Sequence, residues 1–585
     1  MLTKKASHLQ PLAAGFLIAL AIFFVSPLSL HASGGQAPVM NPGDYHHVMG
    51  MSGRLAVWFT AQMHLWFAAF VLAVPIFVFI LEALGMARKE PRYDRVAHEF
   101  IRVSITAYSI TAITGGLLLF SLIVFYPKVM GYMAGIFGPT MVVYALLFFV
   151  ESASLYVYYY GWRHMEKGAL KWVHLGVGFI LNLTGTALMF IANAWTTFMM
   201  SPAGVDRYGA LKAGLWPAIH NNLWNPMNLH RFIANIAYGG SIVASYAAYR
   251  FLSARGDKDR AYYDWMGYTA SLIAVAALLP LPFAGYWLTA EIYAYSQQMG
   301  ITLMGGVFAW LFIIQAVVIG ALFLAANYYL WCTMERGRGA ARYRPWVKYI
   351  ALVLLLAFLV WFTPHSLVLT AKEAAALGGT YHPLLAPLGL MPAKNTAVNI
   401  IVLFTFLSFV LYRRAGRDVS APAVRTATAS ITALFTAGVF NIIFLGVYYG
   451  YFTDSAHKVA SSVPQVLTTL AVIALTLFAE FLAFRGQEKS RDGLRWGNIP
   501  ARSQYALVLI TVSFTWLMGL MGYVRSAIRG RWHVYSIIKD ASPEAAAPPI
   551  GFAVKVVSVG TIVFLGIIVF IFWLSQLTGE RELDG

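Results

Sequence analysis

The chain has 585 residues, 59% of them hydrophobic and only 11% charged, an apolar fraction well above that of ordinary globular proteins, which excludes a soluble enzyme. Subtracting 24 acidic from 42 basic side chains leaves +18, but the basic residues lie between apolar segments, as the positive-inside rule places them in membrane proteins, and do not form a nucleic-acid-binding patch. The lone cysteine, Cys332, excludes a disulfide framework, a Cys-x-x-Cys-His attachment site for c-type haem and a cysteine-held iron–sulfur cluster within the chain, so His, Met, carboxylate and Tyr are left to hold any redox cofactor.

At the N-terminus, Lys4 and Lys5 precede an apolar run that ends in Ser29-Leu30-His31-Ala32. Residues 1–32 read as a signal peptide with a poor cleavage site, or as an uncleaved signal-anchor helix. Thirteen stretches then have the length and apolarity to cross a hydrocarbon core of about 30 Å. They fall near 54–84, 99–127, 132–161, 172–199, 230–252, 263–290, 299–332, 345–363, 395–412, 427–452, 459–484, 503–525 and 551–576. This predicts an all-α, polytopic transmembrane bundle surrounded by lipid. Every second connection carries a basic cluster: Arg88, Lys89, Arg92 and Arg95; Arg163, Lys167 and Lys171; Arg250, Arg255, Lys258 and Arg260. The pattern continues with Arg336 to Arg344, Arg413 to Arg417, and Lys489 to Arg502. These loops are expected on the cytoplasmic side, together with the C-terminus.

Polar side chains inside spans mark candidate function, because lipid makes them costly. His64 lies ten residues past Arg54, about 15 Å along a helix and hence near mid-membrane; it reads either as a core histidine or as a ligand. Glu151, in Leu-Leu-Phe-Phe-Val-Glu-Ser, is a deep carboxylate that must be protonated, paired or hydrated, and serves equally as proton relay or structural hydrogen-bond partner. His230 opens its span at the outer boundary, followed by Gly239 and Gly240, which allow a flat macrocycle or another helix to approach closely. Glu82 and Glu480 are expected to snorkel to water near the cytoplasmic ends. Met518, Met521 and Arg525 share a helix face, with Arg529 and Arg531 beyond; arginines at an outer end suit propionate groups. His365, His382, His457 and His533 show no ligand spacing, so a copper or zinc site is not expected.

Several motifs together resemble subunit I of the cytochrome bd quinol oxidases. They are Phe148-Phe149-Val150-Glu151-Ser152, Tyr160-Gly161-Trp162-Arg163, Leu181-Asn182-Leu183 and Ile191-Ala192-Asn193-Ala194-Trp195, with Gly53-Arg54-Leu55 and His64 before them and Gly530-Arg531-Trp532 far beyond. The resemblance is good over about 50–290 and weak over 291–585, whose additional spans hold only the Gly-Arg-Trp match at 530–532. It implies a respiratory protein of the bacterial inner membrane that carries b-type haems, one high-spin at His64 and one low-spin at His230, with haem d as a further candidate. It also implies a proton route through Glu151, a quinol or cytochrome electron donor and other respiratory subunits as partners. Arg54, Arg525 and Arg531 are its candidate cofactor-binding arginines.

The departures point elsewhere. Where the family has a further carboxylate eight residues before Glu151 this chain has Val143, and where it has a haem-ligating glutamate nine residues before Gly-Arg it has Met521. Methionine is a neutral, soft ligand that favours a low-spin electron carrier. The quinol-binding loop shrinks to Glu291–Gly300, and Met391, beside Lys394 and Asn395, is the candidate for the low-spin haem's second ligand. Two functions are therefore expected: an oxygen-reducing bd-type oxidoreductase, or an electron-transfer subunit of a larger respiratory complex. A haem-free transporter is a third class, disfavoured by the ordered motifs and by the lack of paired broken helices.

Overall fold

The structure is a computed structural model describing residues 35–48, 50–365, 371–376, 385–453, 462–485 and 495–583. The leader at 1–32, His382 and His457 lie outside the described residues. Long helices occupy the apolar runs: α1 (Gly53–Arg88), α2 (Pro91–Phe125), α3 (Pro127–Gly161), α4 (Ala169–Phe198), α5 (Trp224–Ser253), α6 (Asp257–Leu278) and α7 (Leu281–Tyr295). The second half contributes α8 (Ala309–Met334), α9 (Ala340–Phe362), α10 (Met391–Ala415), α11 (Pro422–Val447), α12 (Ser462–Ala483), α13 (Ala501–Ala527) and α14 (Pro549–Leu583). The only sheets among the described residues are two two-stranded ribbons. The chain is an all-α, multi-pass membrane bundle.

Local chemistry sets the helix limits. The Ser52 hydroxyl accepts from the Leu55 amide and caps α1. Lys89 takes a left-handed φ of 53° to end it, and Pro91, Pro127, Pro392, Pro422 and Pro549 stand in first turns, where a missing N–H costs nothing. Pro280 and Pro282 have the opposite effect, since both lie where a continuous helix needs donors, and they divide one span into α6 and α7.

Twelve segments are long and apolar enough to cross a bilayer, α6 and α7 counting as one. Thirteen were expected, and the difference is α5. Its Asn228, His230, Arg231, Asn235, Ser241, Ser245 and Arg250 lower its apolarity. It can carry them because it packs against α1, α4, α6, α7 and α13, and from Ala237 to Ala248 every side chain is buried. Gly239 and Gly240 serve these contacts: a side chain at 239 would strike Ala73 of α1, and one at 240 would meet Ala274 of α6 at 3.0 Å. The pair seats neighbouring helices. The lipid-facing belt is built instead from exposed Leu, Ile and Phe, such as Phe120, Leu359, Phe440, Phe478 and Ile562.

One end of the bundle bears the basic clusters, and two expectations there need correction. Glu82 and Glu480 do not snorkel to water. The Glu82 carboxylate is fully buried, held by His174 Nδ1 at 2.6 Å, Lys171 Nζ at 2.8 Å and the Tyr158 hydroxyl. Glu480 is buried against Arg414, whose Nε donates at 2.7 Å. Arg336, read as a loop charge, is buried in an ion pair with Asp264. Burying a carboxylate beside a cation avoids an unpaired charge in a poor solvent.

At the opposite end a hairpin (Trp532–Val534 with Ile538–Lys539) closes over the bundle. The Tyr45 hydroxyl donates to His533 Nε2 at 2.8 Å and accepts from the Ala541 amide at 3.0 Å, tying the N-terminal segment to the hairpin. Burial, reinforced by Arg529 and Arg54 and opposed by Asp540, pushes the His533 imidazole down to about 4. In the unfolded chain it titrates near 6.5. Between those values the unfolded segment binds a proton that the folded one refuses. The hairpin should therefore hold its full stability above about pH 6.5 and lose about 2–3 kcal/mol as pH falls toward 4. Hydrogen exchange of residues 531–541 at pH 7.5 and pH 5 checks this; equal protection at both values would contradict it.

Candidate functional site

A cavity of about 460 Å³ lies where α1, α3, α4, α5, α7, α8, α10 and α13 face one another. That volume is in the range of cofactor and small-molecule sites, roughly 300–1,000 Å³. It brings together six of the eight residues singled out in the sequence: His64, Glu151, His230, Met391, Met521 and Arg525.

His64 is fixed through its first nitrogen. Nδ1 lies 3.1 Å from the Thr111 carbonyl on α2; a carbonyl only accepts, so Nδ1 carries the hydrogen and Nε2 keeps its lone pair. This bond sets the tautomer that leaves Nε2 free to act as a ligand. Gly115, one turn from Thr111, lies against the ring, where a Cβ would stand 2.9 Å from Cε1. Gly115→Ala should therefore turn the ring and disturb the His64–Thr111 hydrogen bond. Gly285, packed against His230, has room: a Cβ there would sit at an ordinary 3.6 Å, and Gly285→Ala should be nearly silent. Comparing the thermal unfolding of the two variants tests both statements.

His230 makes no side-chain hydrogen bond among the described residues, and α7, freed by the Pro280 break, packs beside it. The neighbouring Arg231 is oriented by Asn193, whose amide donates to Asn228 at 2.7 Å. The Ala-Asn-Ala-Trp motif thus anchors α4 to the His230 end of α5. Arg525 lines the same cavity with Nε and Nη1 unpartnered. Neither guanidinium has a carboxylate partner among the described residues. Two half-buried cations without counter-charge among the described residues, beside a histidine with free nitrogens, fit a flat group that ligates through iron and bears carboxylates.

Glu151 reaches the cavity from α3 beside Tyr108, Tyr144 and Phe148, with Gly185 of α4 giving it room. It makes no hydrogen bond or ion pair among the described residues. Two helical turns toward the basic end, about 10 Å away, stands Tyr158, which belongs to the Glu82 cluster. His174 faces an acceptor with each nitrogen, Glu82 Oε1 at 2.6 Å and the Tyr158 carbonyl at 2.8 Å, so a proton resides between Nδ1 and Glu82. Lys171 continues the chain to Asp94 at 3.0 Å, which is partly exposed. Between the cluster and Glu151 lies Asn182, whose Oδ1 is buried without a partner.

On α13, Met518, Met521 and Arg525 all line the cavity, as their spacing predicts. Met391 does so from the first turn of α10. Its neighbour Lys394 is fully buried and donates to the Trp361 and Thr363 carbonyls, the first of these at 2.9 Å, capping the end of α9. Arg54 and Arg531 lie apart. Arg54 donates to the Glu544 carbonyl, and Arg531 follows Gly530, whose φ of 63° turns the chain into the hairpin and leaves the arginine exposed. Sequence reasoning missed Arg231, Gln62 and Tyr108 as cavity residues. Arg231, a cation next to the singled-out histidine, carried the one signal that was available.

Residues 53–310 match the family model described as cytochrome bd terminal oxidase subunit I. A solved structure, that of bd oxidase from Geobacillus thermodenitrificans, aligns with 89% of this chain and 97% of its own at a TM-score of 0.45 and 14% identity. No curated protein matches by sequence.

Proposed function

We propose that this chain, cytochrome bd subunit I-like over residues 53–310, is a haem-binding redox protein of the bacterial cytoplasmic membrane that reduces oxygen at the His64 side of its cavity. The observation that carries the reading is the single cavity joining His64 and His230 to the unpartnered Arg525. When bound, b-type haem would supply an iron that changes oxidation state by one electron and reacts with oxygen. His64, with Nδ1 tied to Thr111, would hold one haem through Nε2. His230 would hold a second haem, with Met391 as the candidate for its further ligand. Arg525 and Arg231 neutralise propionates. Glu151 stores and releases protons at the cavity wall, supplied from Asp94, Lys171, Glu82 and His174 at the basic end. That end, with the C-terminus, faces the cytoplasm by the positive-inside rule. The electron donor is a quinol or a cytochrome, and further respiratory subunits complete the assembly.

Two observations favour a second reading, an electron-transfer subunit that does not reduce oxygen. Val143, at the position of the family's additional carboxylate, is exposed on the outside of the bundle, and Met521 stands in the cavity where the family has a glutamate. The reduced-minus-oxidised absorption spectrum, repeated with carbon monoxide, decides between them. A carbon monoxide-sensitive high-spin band is expected for oxygen reduction. Low-spin b-type bands indifferent to carbon monoxide would establish the conduit instead, and well-folded protein without haem would sink both in favour of a transporter.

A further inference from the structure

The helices beyond residue 310 contain a second feature that the His64 and His230 site does not use. Along α12 the buried residues are Ser462, Gln465, Thr469, Val472, Thr476, Glu480 and Ala483. Five of these seven are polar and recur every three or four positions, so one face of the helix is polar. From Ser462 to Glu480 that face runs about 27 Å, close to the hydrocarbon thickness. The opposite face is Val463, Leu467, Leu470, Leu475, Phe478 and Leu482, all exposed. The polar face is turned inward.

It meets a matching row on α10. Asn395 donates to Ser462, Gln465 donates to Thr396 at 2.7 Å, and Thr469 donates to Asn399 Oδ1 at 2.5 Å. Further along, Leu403, Phe406 and Val410 of α10 cluster with Val472 of α12, and Thr405 faces α8 instead, accepting from Asn327 at 2.9 Å. The row ends at the basic side with Glu480, Arg414 and Thr428, the last accepting from Arg414 at 2.7 Å. At its other end Asn395 and Asn399 line the main cavity. The seam therefore joins the basic end of the bundle to the cavity.

Polar residues between membrane helices are commonly adhesive, each hydrogen bond closed within the protein. This seam is not closed. Gln465 Oε1 and Thr476 Oγ1 are fully buried and have no partner among the described residues. Thr469 bonds back to its own helix as well as to Asn399, whereas Thr476 does neither. Buried polar atoms left open in succession are the condition under which internal water is retained, because water supplies the missing partners.

We propose that the α10–α12 interface holds a file of water that gives protons access from the basic end to the cavity, separate from the Glu82–Glu151 side. The test needs no cofactor, so its outcome is independent of the haem reading. Because Cys332 is the only thiol, a Cys332→Ala background makes single introduced cysteines readable. Thr476→Cys and Thr469→Cys are compared with the lipid-facing Leu470→Cys and Leu475→Cys in inside-out vesicles treated with silver ion. Unreacted thiol is then counted by maleimide after unfolding. Metal capture needs thiolate and hence water, so both seam positions should react at least about tenfold faster than the lipid-facing pair. Adding Thr476→Leu should abolish the reaction at 469. Seam positions as slow as the lipid-facing ones would mean a dry, adhesive interface. A position 469 that still reacts at full rate behind Thr476→Leu would mean that water enters from the cavity alone; either result overturns the proposal. Thr476 has no protein partner to lose, so its cysteine variant tests the idea even if the Thr469 variant folds poorly.

Discussion

His64→Ala is expected to lower the haem content by one per chain and to abolish the response to carbon monoxide, leaving the spectrum of the His230 site in place. The reasoning is geometric. His64 presents Nε2 to the cavity only because Nδ1 is committed to the Thr111 carbonyl 3.1 Å away, and no other side chain on α1 brings a nitrogen ligand to that wall. Gln62 lines the cavity too, but its amide is a poor iron ligand, and its oxygen packs against Gly522. His230→Ala should remove the other haem and spare the carbon monoxide response. Alanine substitution leaves the helix intact, so the readout is haem stoichiometry and spectrum in protein that still elutes as a folded species. Two haems retained in His64→Ala would refute the assignment, and simultaneous loss from either single variant would mean that one shared group spans both histidines.

The bundle was legible because lipid imposes a simple rule: about 20 apolar residues per crossing and basic residues on one side. The exception, α5, shows the limit of that rule. The span read at 230–252 is a helix, yet a helix packed among others need not be apolar, and its polar side chains keep it out of the twelve segments apolar enough to cross a bilayer. His64, Glu151 and His230 stood out because each is expensive in hydrocarbon unless something compensates. What compensates them was illegible. Glu82 looked like a snorkelling carboxylate because its partners His174 and Lys171 lie some 90 positions away in the chain and on another helix. Arg231 gave no signal of its own, because the residue that orients it, Asn193, comes from α4. Arg54 and Arg531 were expected at the cavity on motif grounds, yet Arg54 is held by the Glu544 carbonyl and the left-handed Gly530 turns Arg531 away into the hairpin.

The largest stability effect is expected at Asp264 and Arg336. Both side chains are wholly enclosed at the basic end. Asp264 also accepts from the Gly497 amide at 2.9 Å, tying α6 to the segment leading into α13, while the guanidinium lies over the Trp496 ring at 4.8 Å. Removing one partner strands the other charge without water, at a cost of about 3–5 kcal/mol. The two single variants should nevertheless differ. Arg336→Leu leaves a carboxylate that keeps one donor, Gly497. Asp264→Leu leaves a cation whose Nε and Nη1 already lack partners and whose remaining hydrogen bond is lost. Thermal unfolding in detergent should thus rank Asp264→Leu as the least stable, Arg336→Leu next, and the double variant nearer to wild type than either, because an apolar pair of similar volume carries no desolvation cost. A double variant whose loss equals the sum of the singles would show that the two charges act independently, and that the ion pair is not what joins α6 to α8.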